Sequence, residues 1–362
     1  MRSPQIHDMN PGMETQQALP AGKPFFSIVV LNWNGRSLLE ECLDSVLAQT
    51  FRSFETIVVD NGSTDGSVEF LRERYGDRVR LVRLEKNLGY GGGNNRGIDV
   101  ADGSWVVFLN NDTQTDPRWL EEISAAASRH PDAAVFACKI LNYYRRDEID
   151  NVGHLLYPDG INRGRGRGEK DVGQYDREEE VFFPSGCAAA YRKDLLDVIG
   201  NFDESFFAYG DDTELGLRAR LFGAICLLAP KAVVYHKYSA TSGTYSGFKA
   251  YQVERNRVWV LLKYFPLRWI MLSPLYTIVR MSHHVIAALR GQGSSGRFTG
   301  SQGSAWTLFR TVLRAYRDAF ARLPSVLAER KKNLPLRKIP ARQFSEWLRR
   351  FRLTAREVAW KD

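Results

Sequence analysis

Three carboxylates fall within four residues at Asp211-Asp212-Thr213-Glu214, directly after the aromatic run Phe206-Phe207-Ala208-Tyr209-Gly210. Acids in a first helical turn often only complement the helix dipole. Here Asp112 closes a buried-strand pattern far upstream, and His236 follows a third such pattern downstream. Several hard ligands plus a spare carboxylate, all at element ends, suggest a metal-assisted transferase: some groups hold a divalent cation while one acid accepts a proton.

The elements that must position these groups are legible as apolar runs. Phe25-Phe26-Ser27-Ile28-Val29-Val30-Leu31 reads as a strand buried on both faces. Asn32-Trp33-Asn34-Gly35 makes a turn, and Ser37-Leu38-Leu39-Glu40 has the capping-box pattern of a helix running to about Gln49. Strands follow at 55–60, 79–84 and 105–109, with helices through Val68, Phe70 and Leu71 and near 94–100. After a weaker stretch at 130–185, residues 224–228 and 232–235 read as two strands leading to His236. Alternation of this kind predicts an α/β fold with a mostly parallel, Rossmann-like sheet flanked by helices. In such sheets ligands bind outside the carboxyl ends of the strands. Asn32, Asn34, Asp60, Asn87, Asn110 and Asp112 all stand there, which argues for a nucleotide-type site.

The chain of 362 residues has a net charge of +8, unevenly spread. Residues 251–362 hold 22 Lys and Arg against 6 Asp and Glu, so an acidic front precedes a basic tail. Such a tail suits an anionic surface. Residues 1–23 read as a disordered leader without the apolar run of a signal peptide. Cys42, Cys138, Cys187 and Cys226 form no C-x-x-C pair and read as reduced core residues of a cytosolic protein. Arg163-Gly164-Arg165-Gly166-Arg167-Gly168 reads as a flexible basic loop, either solvated or closing over an anionic substrate. Residues 258–290 are apolar but interrupted by Lys263, Arg268 and Arg280, and the central uncharged stretch is too short for a membrane span, which needs about 20 residues. Interfacial helices at the membrane fit this better, with packing on the catalytic domain or a second subunit as the alternative. Residues 291–304 read as a Gly/Ser linker, followed by basic amphipathic helices including 306–323 and 344–352. No nucleic-acid-binding motif is present.

Taken together, Ser27-Ile28-Val29-Val30-Leu31-Asn32-Trp33-Asn34-Gly35, Asp60-Asn61-Gly62-Ser63-Thr64-Asp65-Gly66-Ser67 and Asn87-Leu88-Gly89-Tyr90-Gly91-Gly92-Gly93-Asn94-Asn95-Arg96-Gly97 resemble family 2 inverting glycosyltransferases of the GT-A fold. Leu109-Asn110-Asn111-Asp112 is similar to that family's D-x-D position, and the segment from Asn201-Phe202-Asp203-Glu204 to Leu215 to its acidic catalytic motif. The resemblance spans about 25–250 and leans toward the rhamnosyltransferase group through Tyr251, Arg255-Asn256-Arg257, Trp259 and Lys263-Tyr264-Phe265-Pro266. It implies a GT-A domain over 24–250; the charge and helical pattern beyond it read as a basic, amphipathic helical membrane-associating extension over 251–362.

The resemblance also implies roles. Asp212 would be the catalytic base, with Asp211 second. Asp60 would read the pyrimidine of a UDP- or dTDP-sugar, beside a nucleotide-sugar site that includes Asn32, Asn34, Asn87, Gly89, Asn95, Asn110 and Asn111. Asp112 and His236 would hold Mg²⁺ or Mn²⁺. Position 110 is often acidic in the family, so Asn110 removes a charge here. Gly186, in Pro184-Ser185-Gly186-Cys187, would lie beneath the sugar and acceptor, and Arg255 and Arg257 would meet a diphosphate or lipid phosphate. The implied partners are a nucleotide-diphosphate sugar and a lipid-linked or polysaccharide acceptor, with peripheral contact at the inner face of the cell membrane. A Rossmann-type oxidoreductase is the competing enzyme class, but no G-x-G-x-x-G follows the first strand. A non-catalytic sugar-nucleotide-binding scaffold is the other alternative.

Overall fold

The computed structural model describes residues 22–238, 246–293, 296 and 304–360. Almost all of the expected leader, Ser239-Ala240-Thr241-Ser242-Gly243 and most of the expected linker lie outside the described residues. The strands are β1 (Phe26–Asn32), β2 (Phe54–Asp60), β3 (Arg80–Arg83), β4 (Trp105–Asn110), β5 (Thr113–Thr115), β6 (Ala133–Asn142), β7 (Ile149–Asn151), β8 (His154–Leu156), β9 (Asn162–Gly164), β10 (Ala188–Arg192) and β11 (Ile225–His236). The helices are α1 (Arg36–Leu47), α2 (Ser67–Arg74), α3 (Gly89–Ile98), α4 (Trp119–Arg129), α5 (Lys193–Ile199) and α6 (Asp211–Phe222). Beyond them run α7 (Gly247–Tyr264), α8 (Leu267–Leu289), α9 (Ala305–Ala321), α10 (Leu323–Asn333), α11 (Ala341–Arg350) and α12 (Ala355–Trp360).

Strands β1 to β4 are mutually parallel where they pair; the apolar runs of β1, β2 and β4 are covered on both faces, while β3 forms the more exposed edge. Among the described residues one sheet has the order β3-β2-β1-β4-β10-β6-β11-β5, with β7 on β6. β10 is antiparallel between β4 and β6, and β5 is antiparallel to β11, so the far side is mixed. Register sets Asn32 beside Asp60, and the shared strand direction brings Asn110 to the same edge. That edge is where the chain's polar residues gather.

Local details depart from expectation in instructive ways. Ser37 does not cap α1; the helix begins at Arg36, whose N–H donates to Asp65 Oδ2 at 2.9 Å. Helix α3 starts at Gly89, inside the run expected to be a turn. The two expected strands before His236 are one strand, with an irregularity between Ala229 and Val233. The Arg-Gly repeat is no loose loop: Asn162, Arg163 and Gly164 form the second arm of a hairpin with β8, and Arg163 Nη1 donates to Glu357 O at 3.1 Å. The four cysteines are buried and unpaired.

The boundary expected near 250 is not a break in the core. One apolar cluster joins Phe182, Phe183, Phe206 and Leu217 to Val258, Trp259, Phe265, Phe344, Trp347 and Phe351. Leu156 N–H donates to Phe351 O, and Leu353 N–H returns a bond to Leu156 O. Of the charges that interrupt the apolar tail, Lys263 and Arg280 face inward, whereas Arg268 is exposed. Lys263 pairs with Asp203. Arg280 reaches Asp159 Oδ2 and Glu254 Oε1, each at 2.7 Å, and Arg257 Nε reaches Glu254 Oε2 at 2.7 Å. Two cations and two anions thus balance in a buried cluster that ties α7 and α8 to the segment after β8. No described helix is long and apolar enough to cross a membrane.

Removing one partner of such a cluster strands the others without compensation. Arg280→Ala should therefore lower stability by about 3–5 kcal/mol, read as a fall in the denaturant midpoint. A loss under about 1 kcal/mol, the range of exposed pairs, would show that the cluster is solvated.

Candidate active site

The site is built at the carboxyl edge of the sheet and closed by α6. Between Phe206 and α6 the chain makes a tight turn in which Phe207 (φ 66°) and Tyr209 (φ 63°) are both left-handed. Such residues cost of order 1–3 kcal/mol each and persist only where their surroundings hold them. The holder is Asn256 of α7, whose Nδ2 donates to Phe206 O, Ala208 O and Tyr209 O at 3.0, 2.9 and 2.6 Å. From the other side Tyr90 N–H donates to Phe207 O at 2.6 Å. Gly89 (φ +79°) is required there, because a Cβ would stand 2.1 Å from Phe207 O. The helix-start amides of α3 are therefore already used: Gly89 N–H bonds Asn87 Oδ1 at 2.8 Å and Tyr90 N–H bonds the turn.

The three acids that follow have three different surroundings. Glu214 is buried, pairs with Arg218 at 2.8 Å and takes a bond from Tyr264, which makes it a tie between α6 and α7. Asp212 lines the cavity. Its Oδ2 accepts from Gly186 N–H at 3.1 Å and lies 3.4 Å from His154 Nε2; its Oδ1 accepts from Thr213 N–H at 2.7 Å. Burial alone would raise this carboxyl, but His154 and the two amides hold it below the usual range. Asp211 has only its own backbone N–H to favour the charged form. Its Oδ1 is buried without a hydrogen-bond partner among the described residues, and desolvation, then the neighbouring Asp212 charge, pushes the carboxyl up to about 8. One acid of the pair is primed as an anion and its neighbour as a neutral group.

Across the same cavity Asp112 Oδ1 lies 3.3 Å from His236 Nε2, and Asp150 Oδ2 holds His236 Nδ1 at 2.6 Å. Burial opposes charge on this imidazole, but the Cys187 sulfur and the two aspartates outweigh it and raise its pKa. A carboxylate oxygen and a ring nitrogen facing each other, with the second ring nitrogen oriented by an outer carboxylate, suit Mg²⁺ or Mn²⁺ with its other positions open to substrate oxygens. No group of three or more such ligands occurs among the described residues.

The remaining expected residues divide. Asn87, Gly89, Asn110, Asn111 and Gly186 line the cavity. Asn32, Asn34, Asp60 and Asn95 are not part of its lining. Asp60 is fully buried and accepts from Asn32 Nδ2 and Ser63 N–H, each at 3.0 Å; Asn32 Oδ1 in turn accepts from Asn111 Nδ2 at 2.8 Å. Asp60 thus orients Asn111 through Asn32. Asn34 accepts from Thr64 N–H in the turn. Asn95 ties α3 to Phe202, donating at 3.0 Å and accepting at 2.9 Å. Arg257 lines the cavity with its guanidinium committed to Glu254 and Asp159, whereas Arg255 lies outside it, donating to Phe206 O at 2.8 Å. His154, Asp150 and Asn61 escape the sequence reading. The first two lie in the stretch whose periodicity is weak, and Asn61, which bonds Asn87 Oδ1 and Gly89 O at 3.0 Å, is hidden within an apparent turn.

A carboxyl protonated in the folded chain and ionised in the unfolded one loses stability as pH rises between its two pKa values. For Asp211 that window runs from 3.8 to about 8, with a slope near 1.4 kcal/mol per pH unit. Asp211→Asn should flatten the stability–pH curve there, measured by chemical denaturation at several pH values. Parallel curves would mean that Asp211 is ionised in the native state.

Residues 27–200 match the family model Glycosyl transferase family 2. An O-antigen biosynthesis protein of Myxococcus xanthus is 30% identical over 230 residues, covering 61% of this chain and 18% of that protein. The chain thus spans under a fifth of that relative. The N-acetylglucosaminyl-diphospho-decaprenol L-rhamnosyltransferase of Mycobacterium tuberculosis is 28% identical over 246 residues, covering 60% and 77%. Among solved structures, a fragment of S. aureus TarS superposes with TM-score 0.52 at 19% identity over 90% of this chain and 91% of that one. GalNAc-T7, solved with UDP, GalNAc and Mn²⁺, superposes with TM-score 0.55 at 16% identity over 75% and 51%. Those superpositions match the mostly parallel sheet flanked by helices, so the fold is of the GT-A type. With strands β2 to β10 and the strand-end amides inside the matched region, residues 27–200 carry a glycosyl transferase family 2 domain.

Proposed function

We propose that this protein is an inverting glycosyltransferase of cell-surface glycan synthesis. It moves a sugar, L-rhamnose from dTDP or another sugar from UDP, onto a lipid-linked or polysaccharide acceptor. The observation that carries this reading is the division of labour in one cavity: Asp212, furnished with donors that keep it anionic, faces the same space as the Asp112–His236 pair. The family match and the rhamnosyltransferase relative support it.

The acceptor hydroxyl hydrogen-bonds Asp212. As its oxygen bonds the anomeric carbon, the bond from that carbon to the diphosphate oxygen breaks and its electron pair leaves with the nucleoside diphosphate. The hydroxyl proton passes to Asp212, and a single displacement inverts the centre. Asp211, neutral below about pH 8, lets its neighbour stay ionised without an adjacent charge. Asp112 and His236 would hold Mg²⁺ or Mn²⁺, which supplies charge compensation for the leaving diphosphate. Asp150 fixes the His236 ring so that Nε2 faces Asp112. Asn87, Asn110 and Asn111 offer neutral donors and acceptors to the nucleoside and sugar, while Asn61, its amide hydrogens spent on Asn87 Oδ1 and Gly89 O, orients Asn87. Gly186 leaves no room for a side chain, since a Cβ would meet the Tyr90 hydroxyl at 2.8 Å. Arg310, Arg314 and Arg317, exposed beside apolar positions of α9, support peripheral contact with an anionic membrane face.

Nucleotide-diphosphate release, screened over dTDP- and UDP-sugars with each metal, tests the reading. Asp212→Asn should lower kcat by about 10²–10⁴-fold, the usual worth of a positioned base, with donor binding kept. Unchanged kcat would leave a binding protein instead. His154→Gln removes the group that lowers the Asp212 pKa, so the acid limb of kcat/KM should move to higher pH. An unmoved limb with reduced stability would assign His154 a packing role only.

A further inference from the structure

Helix α8 has two contrasting faces. Ser273, Arg280 and Ala287 are buried. On the opposite side Leu267, Met271, Leu275, Ile278, Val285 and Leu289 are exposed, from 58% at Val285 to 84% at Leu289. Their three- and four-residue spacing makes one uncharged apolar stripe, about 33 Å long at 1.5 Å per residue. Helix α9 repeats the pattern, exposing Trp306, Phe309, Leu313 and Phe320 while Ala315 and Ala319 are buried. Exposed apolar surface of this extent marks a place where something other than water is met.

A membrane surface alone would explain the stripes but not where they lead. Met281, Val285 and Leu289 of α8, with Leu308, Phe309 and Val312 of α9, line the same cavity as Asp211 and Asp212. Val285, Leu289 and Phe309 belong both to the exposed faces and to that lining. The cavity therefore has carboxylates, amides and imidazoles at one part and hydrocarbon at another. Its volume is about 1910 Å³, well beyond the roughly 300–1,000 Å³ that encloses one small ligand. Positive charge stands in the same wall: Arg167 and Lys249 lie against the Tyr238 ring, 4.1 and 5.1 Å from its centre.

We infer that the apolar part of the cavity, walled by α8 and α9, holds the hydrocarbon chain of a phosphate-linked lipid acceptor, which enters along the exposed stripes. This inference rests on the glycosyl-transfer reading and narrows it: of the two acceptor classes, a polysaccharide has no use for a hydrocarbon wall that begins at the surface and lines the same cavity as the base. The phosphate meets the Arg167–Lys249 side, and the sugar hydroxyl reaches Asp212. The helices beyond residue 264 are then part of the acceptor site.

The test is direct binding of prenyl phosphates of increasing chain length to the full chain, below their micelle concentrations, with inorganic phosphate as the chainless control. Each methylene buried is worth roughly fourfold in affinity, so each added isoprene unit should tighten binding at least tenfold until the cleft is filled. Leu308→Asp and Val312→Asp, both at half-buried positions, should each weaken the long-chain ligand at least tenfold and leave nucleotide-diphosphate binding unchanged. Affinity independent of chain length overturns the inference, as do variants that lose vesicle binding but keep prenyl phosphate, which would make the stripes a membrane contact only. Chain-dependent binding without release of nucleotide diphosphate from any donor would overturn the transfer reading while leaving a lipid site. Turnover on a water-soluble sugar acceptor with no chain dependence would do the reverse.

Discussion

Two neighbouring carboxylates on the wall of one cavity disfavour each other's charge unless the surroundings tell them apart. Much of this molecule is arranged around that difference. Asp212 receives an imidazole and two amides, whereas Asp211 faces Gly91 with an oxygen that no donor among the described residues reaches. A one-residue step along α6 thus separates an anion from a neutral acid. The step is fixed because the turn before α6 is strained and clamped. Asn256 spends its amide hydrogens on three carbonyls of that turn, and α3 delivers the amide of Tyr90 to a fourth contact.

That clamp comes from α7, in the part of the chain whose composition suggested an attached surface module. The basic tail has two populations of cations. Arg257, Lys263 and Arg280 face inward and are balanced by Glu254, Asp203 and Asp159. Arg310, Arg314 and Arg317 face out. Because buried charges persist only when paired, the inward set fixes where α7 and α8 sit, and so where Asn256 sits. The outward set and the bare apolar faces are left for an external surface. One segment therefore completes the turn before α6 and presents the exposed apolar faces of α8 and α9.

The Asp112–His236 pair follows the same logic of one group setting another. Asp150 does not face Asp112; it holds the opposite nitrogen of His236 and thereby decides which nitrogen is presented. Asp60 acts at a similar remove, through Asn32 to Asn111. Acids at strand ends that look alike in sequence thus divide into those that face the cavity and those that aim their neighbours.

The parallel half of the sheet was legible in the sequence, because strands covered on both faces leave unbroken apolar runs and their polar ends must gather at one edge. Asp112 with His236, and Asp211 with Asp212, were legible for the same reason: each ends or begins an element. What sequence could not separate was function among identical residue types. Whether Asp60, Asn32 or Asn95 faces the cavity or the core depends on the register of neighbouring strands and on the packing of α3. His154 and Asp150 sit in short strands without periodicity, and they matter only because the chain returns past α6 and β11. The sign of the tail's charge was plain from composition, yet its destination was not. A net positive count is a sum over residues, while burial and pairing are set by which acids the fold brings within reach, and only the tertiary structure decides that.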